Sequence, residues 1–191
     1  MIARGGIFDA MLNREVFGTS GPRIAPRLFA GWGFDSGLCE DADRDAKGYA
    51  NGVPMGGDLA QASSAGAKPT FLAYASKDPS GKDLNELQLI KGWLGADGSM
   101  HTKVLPLAKA SGQGAASLCS VYIDESFETQ QSAYYYLRAL EAPSPRWHTY
   151  DCAQLPKESQ PEVCSNGQYP ETIREMAWSS PIWYRGAKAE S

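Results

Sequence analysis

Few residues in this chain have the side chains that catalysis or metal binding needs. It has two histidines, His101 and His148, four cysteines, and one tight acidic run, Asp41, Asp43 and Asp45. Hydrolytic metal centres usually draw on several imidazoles at fixed spacings. No H-x-H or H-E-x-x-H occurs here. The acidic run matches the opening of a helix-loop-helix calcium loop, which needs glycine at its sixth position and glutamate at its twelfth. Those positions hold Ala46 and Gly52. Calcium at Asp41, Asp43 and Asp45, helped by Glu40, therefore requires another geometry, and a solvated acidic loop is the plainer reading.

Nucleophilic chemistry is equally thin. No G-x-S-x-G elbow is present, and "GTSGP" at Gly18 has its serine in the wrong place. A site built from Asp41, Asp45 and His148 is the one enzyme reading left. The glycine-rich "GYANGVPMGG", Gly48 to Gly57, lacks the lysine followed by serine or threonine of a phosphate loop. It reads as a turn, with Asn51-Gly52 supplying positive φ and Gly56-Gly57 allowing close backbone approach. The sequence thus predicts no catalytic residue, no cofactor and no resident metal.

The cysteines, Cys39, Cys119, Cys152 and Cys164, show no C-x-x-C spacing. An even count at wide spacing predicts two disulfides, Cys39 with Cys119 and Cys152 with Cys164. The second would order a loop poor in apolar residues. Disulfides favour a periplasmic or secreted location, although "MIARGGIFDAMLNREVFG" is not a signal peptide.

Aromatic residues are the remaining functional signal. Trp32, Trp93, Trp147, Trp178 and Trp183, with the run Tyr134 to Tyr136, either fill a core or form a stacking platform for a sugar. Strand alternation turns one or two of the three tyrosines outward. The candidate ligand contacts are Trp147, His148 and Tyr150, in "PRWHTYD", together with Tyr135.

The elements that must carry these residues are mostly strands. "GGIFDAMLNREVFG" has Ile7, Met11 and Leu12 at helical spacing, and "SGP" stops it. Beyond it, "RIAPRLFAGWGF" reads as a strand with Pro26 at an edge or bulge. "TFLAYASKD", "ASLCSVYI", "SAYYYLRALEA" and "SSPIWYR" read as further strands. Asp97-Gly98, between "LNELQLIKGWLG" and "MHTKVLPLAKA", marks a hairpin. About seven short strands predict an antiparallel β-sandwich of immunoglobulin or jelly-roll type with a short N-terminal helix. The expected division is residues 1–22 as helix and linker and 23–191 as the sandwich, with an irregular disulfide-held loop around 143–169.

The totals agree with one soluble-type domain. The chain has 191 residues, 42% hydrophobic and 21% charged, with a net charge of -4. That balance points away from nucleic acid and anionic membranes. No apolar run approaches the length of a membrane-crossing helix.

Taken in order, "IFDAMLNREVFGTSGPRI", "GYANGVPMGGDL", "LQLIKGWL", "AYYYLRALEAPSPRWHTYDC" and "MAWSSPIWY" resemble the C-terminal part of a bacterial family, domain-of-unknown-function family 3604. The resemblance runs from about Ile7 to Tyr184. It implies kinship with the polymerase-and-histidinol-phosphatase (PHP) metallohydrolases, whose N-terminal α/β domain carries histidine-rich metal motifs. None of those motifs is in this chain, so no catalytic position carries over. By resemblance, the first stretch is the last helix of a hydrolase domain and the rest its accessory domain. The expected partners are that hydrolase domain or a second copy of the chain, in a homodimer packed through the N-terminal helix.

Overall fold

The computed structural model describes residues 4–62, 64 and 66–186. The chain opens with helix α1 (Arg4–Leu12), strand β1 (Phe17–Thr19) and strand β2 (Ala25–Gly31). Helix α2 (Arg44–Asn51) leads into β3 (Gly52–Pro54), β4 (Asp58–Leu59) and β5 (Thr70–Ser76). A long hairpin, β6 (Leu84–Leu94) and β7 (Met100–Lys109), precedes β8 (Ser117–Ile123) and β9 (Ala133–Glu141). The last part holds β10 (Ser144–Pro145), α3 (Trp147–Gln154), β11 (Thr172–Ile173), β12 (Met176–Ser179) and β13 (Ile182–Tyr184).

Two sheets face each other, as the strand pattern predicts. The larger is built on β9, which pairs with β6 along one edge and with β12 and β13 along the other. Strand β7 extends the sheet beyond β6, β1 extends it beyond β12, and β4 lies parallel to β13. The smaller sheet has the order β3-β2-β5-β8. Pro26 pairs only toward β5, in the part of β2 that β3 does not reach. Its missing N–H therefore costs no ladder bond.

The core follows from strand alternation. Along β9, Ala133, Tyr135, Leu137 and Ala139 are buried, while Tyr134, Tyr136 and Arg138 lie on the other face. They meet Leu87 and Leu89 of β6, and Leu28, Phe71 and Ala73 across the sandwich. At the hairpin tip, Gly98 takes φ +80, and the Asp97 carboxylate accepts the Ser99 N–H at 3.0 Å.

Strand β5 is an unbroken apolar run because it is buried on both faces. Its second face, Leu72 and Tyr74, forms a second core with Phe29 of β2 and with Phe34 and Leu38. This accounts for the first correction to the sequence reading. The expected acidic loop is a covering layer, made of a 3₁₀ turn (Ser36–Glu40) and α2. Gly48 allows α2 to lie on Phe29, since a Cβ there would sit 2.8 Å from the ring.

The glycine stretch is corrected in its details. Asn51 ends α2, and Gly52 is extended, with φ −160. Positive φ falls instead on Gly56, at +87, where a Cβ would run into the Arg14 carbonyl. The expected turn thus lies at Met55-Gly56, closed by the Gly57 N–H on the Pro54 carbonyl at 3.0 Å, and the close approach falls at Gly56 and Gly57 as expected.

Both disulfides form with the expected partners, each with its Cα atoms 5.7 Å apart. Cys39–Cys119 fastens the covering layer to β8. Cys152–Cys164 ties α3 to the second of the two 3₁₀ turns that follow it, Glu162–Cys164. The segment expected to be an irregular loop thus contains a helix. Phe17–Thr19, in the stretch expected to be linker, pairs with β12 as an edge strand.

Candidate ligand-binding groove

A groove of about 520 Å³ opens on the outer face of the larger sheet, at the ends of β6, β9 and β13. That volume lies within the usual range for small-molecule sites, ~300–1,000 Å³. Alternation explains why it is aromatic. Tyr134 and Trp183 are register partners on β9 and β13, so their side chains leave the sheet on the same side. Their rings lie 5.4 Å apart and are inclined by 51°. Tyr136, two residues along, is nearly parallel to Tyr134, at 6.4 Å.

Gly92 sets the posture of Tyr134. The two are register partners across β6 and β9, and a Cβ at Gly92 would run into the Tyr134 ring. The ring therefore lies over the glycine backbone. Leu94 and Met100, another register pair, form an exposed apolar wall.

The rim is charged. Asp58 pairs with Trp183 in the short parallel ladder, which brings its carboxylate to the groove. It accepts from Arg14 Nη2 at 3.3 Å, and Arg185 Nε lies 3.7 Å away. Arg14 is the one non-glycine among the described residues at positive φ, 60°. It closes α1: its N–H reaches Met11 O at 3.1 Å, and Glu15 N–H reaches Ala10 O at 2.8 Å. This is a left-handed helix cap, where glycine or asparagine is the usual choice.

Beneath the groove, on the inner face, lies a very different cluster. Lys91 Nζ donates to Asp124 at 2.6 Å, and the residues are 3% and 0% exposed. Tyr135 and Ser126 hydroxyls also donate to Asp124, both at 2.8 Å, and the Ser126 N–H adds a bond at 3.1 Å. Burial would raise the Asp124 carboxyl, but the bonds from Lys91, Tyr135 and Ser126 outweigh it and hold the carboxyl below its usual range. Burial, with Asp124 beside it, pushes the Tyr135 phenol upward.

The residues singled out from sequence do not converge. Tyr135 is fully buried, which corrects its expected place at a binding surface. Trp147 is 74% exposed on α3, and Tyr150 is exposed there too. His148 is buried between Trp147 and Tyr169. His101 stacks on Trp93, 5.2 Å away. Asp41 takes a hydrogen bond from Lys47, which holds its carboxyl below the usual range, and Asp45 accepts from the Tyr74 hydroxyl. Their carboxylates thus serve different partners. Among the described residues, no group of three or more His, Cys, Asp or Glu is placed to hold a metal ion.

Arg14, Asp58, Arg185, Leu94 and Met100 were not anticipated. Arg14, Asp58 and Arg185 meet only through the parallel β4–β13 pairing and the return of the chain from α1, contacts that leave no local pattern, whereas Leu94 and Met100 face each other across the predicted hairpin. The aromatic half was within reach: alternation turned some of Tyr134 to Tyr136 outward, and Gly92 marks the facing strand.

No curated protein and no solved structure matches the chain. A family model matches residues 2–113 and 107–186. Together these segments span the helix, both sheets and the groove, so the chain belongs to the family described as Protein of unknown function (DUF3604).

Proposed function

We propose that this chain is a non-catalytic accessory β-sandwich of a PHP-related metallohydrolase-like protein, and that α1 is its docking element. One observation carries the reading. Ile7, Phe8, Met11 and Leu12 are 54%, 61%, 59% and 69% exposed, so the apolar residues of α1 have almost nothing packed on them. A helix this short is marginal alone in water. Covering one such side chain is worth about 1.5–3 kcal/mol. In a longer protein the cover is the hydrolase domain; in the isolated chain it is a second copy, in a symmetric dimer. The two disulfides fit an oxidising compartment, periplasmic or extracellular. Among the described residues no helix is long and apolar enough to cross a membrane.

Analytical ultracentrifugation tests the docking role. The wild-type chain should sediment as a dimer, and Phe8→Asp with Leu12→Asp should give a folded monomer. A wild-type monomer at high concentration, whose melting temperature falls in the double variant, would place the helix on its own sandwich and end the proposal. Elemental analysis tests the non-catalytic part, which about one retained equivalent of zinc, iron or manganese would overturn.

A second reading, a module for small ligands or carbohydrate, is favoured by the groove between Tyr134 and Trp183. It uses the outer sheet face and leaves α1 free to dock.

A further inference from the structure

Resting on that second reading, we infer that the groove takes an anionic pyranose, a sugar ring bearing a carboxylate or a sulfate. The argument starts from the shape of the aromatic surface. Tyr134 lies over Gly92, so it offers a ring face to the groove. Trp183 is inclined to it by 51° with its centroid 5.4 Å away, so the two make a shallow V. Ring faces in an open groove suit the C–H face of a sugar, which keeps its hydroxyls in water. They suit a wholly apolar ligand less well, since such a ligand gains most from enclosure. Ser132 and Asp58, also on the lining, supply groups for sugar hydroxyls.

Charge makes the assignment more specific. Arg14 and Arg185 share one carboxylate, Asp58, so the rim carries a net positive charge on a chain of net charge -4. Each guanidinium has five N–H donors in a planar fork, and the pairing with Asp58 occupies a small part of them. The unused donors match the geometry of carboxylate and sulfate oxygens.

Arg14 gives an independent reason. A non-glycine residue in the left-handed region is strained, and a glycine would cap α1 without that strain. Glycine would also remove the guanidinium from the rim. The conformation fixes the origin of the side chain beside Gly56 and β13, on the side of the groove facing Asp58. A strained residue at the edge of a cavity is the arrangement found where position matters more than stability.

Isothermal titration calorimetry on the full chain tests the inference with four probes: trigalacturonate, a chondroitin-sulfate tetrasaccharide, maltotriose and pentaglutamate. At least one acidic sugar should bind with a Kd of about 10 μM to 1 mM. Carboxylate and sulfate are told apart by which of the two binds more tightly. Maltotriose and pentaglutamate should be at least ~10-fold weaker, and the preference over maltotriose should shrink with added salt. Arg185→Ala, an exposed change that leaves folding intact, should weaken the acidic sugar about tenfold, as should Trp183→Leu. Maltotriose binding equally well would keep the groove as a ligand site and overturn the anionic assignment. Pentaglutamate binding equally well would overturn the sugar in favour of an acidic peptide. No binding by either acidic sugar up to about 10 mM would overturn the inference, and no binding by any of the four probes would overturn the ligand-binding reading as well, leaving docking by α1 untouched.

Discussion

Strand β9 carries two tyrosines in succession that belong to opposite kinds of chemistry. Tyr135 points inward to Asp124 and Lys91, in a cluster closed to water. Tyr134 points outward to Trp183, beside Asp58, Arg14 and Arg185, all open to water. Both sites place carboxylates against cations, yet they serve different ends. A buried charge must have every partner supplied by the protein, because leaving one unpaired is costly. Asp124 accordingly receives bonds from Lys91, Tyr135 and Ser126. An exposed pair is held weakly, and water or a ligand can replace either partner. The inner cluster ties the loop after β8 to the sheet, and the outer one is left available for binding.

Removing one inner partner should give the largest effect. Asp124→Ala leaves Lys91 buried and unpaired, so urea denaturation should show a loss of about 3–5 kcal/mol. Replacing both partners, Lys91→Met with Asp124→Leu, should recover most of it. If the double variant is as unstable as the single one, the cluster is needed for more than mutual neutralisation. The cluster also has a pH signature. Because the folded Asp124 carboxyl sits below its usual range, its contribution is complete above the unfolded value of ~3.8. It is lost as pH falls through the folded value.

Covalent ties test the covering layer on the far side of the smaller sheet. Cys39–Cys119 spans 80 residues and Cys152–Cys164 spans 12. Loop closure predicts losses of about 4.5 and about 3 kcal/mol for the paired serine variants. Equal losses would mean that strain or residual unfolded structure sets the scale.

Glu141 has the opposite pH sign from Asp124. It is 2% exposed, and its Oε1 has no hydrogen-bond partner. Burial, with Glu175 and Asp78 nearby, raises its carboxyl. The folded state thus holds the proton more tightly, and the resulting stability is lost as pH rises through the folded value. Glu141→Gln should add about 1 kcal/mol at pH 7 and almost nothing at pH 4, read as the difference in melting temperature.

The smallest effect belongs to the outer site. Asp58→Ala should change stability by no more than about 0.5 kcal/mol. A larger loss would mean that the rim holds α1 in place, and the contrast between the two clusters would fail.

The strands were more legible in the sequence than either cluster: Lys91, Asp124 and Ser126 gave no signal, and Tyr135 was read as a ligand contact. Periodicity located the strands on either side of Asp97-Gly98, and the apolar run of β5 marked a strand, though not its burial on both faces. The covering layer was hidden, because α2 has one buried residue, Gly48, and reads as polar throughout. Its function as a cover shows only once Phe29, Leu72 and Tyr74 are known to face it. The α3 helix was masked by its aromatic and β-branched content. At the groove, Tyr134 and Trp183 were visible as aromatics, but they lie 49 positions apart in sequence and only the sheet joins them. Arg14 and Asp58 arrive from the other end of the chain. Such contacts depend on strand order, which local pattern does not encode.

The larger sheet also constrains the order in which the molecule can be made. Its central strand, β9, is flanked by β12 and β13, and through them by β1 and β4 from the first third of the chain. During synthesis, β1 and β4 therefore wait without their neighbours until residues near Tyr184 have emerged. Over that interval their edges are open to other chains, as in slow folders dominated by distant pairings. Strands β12 and β13, on emerging, close the sheet and complete the groove in the same step.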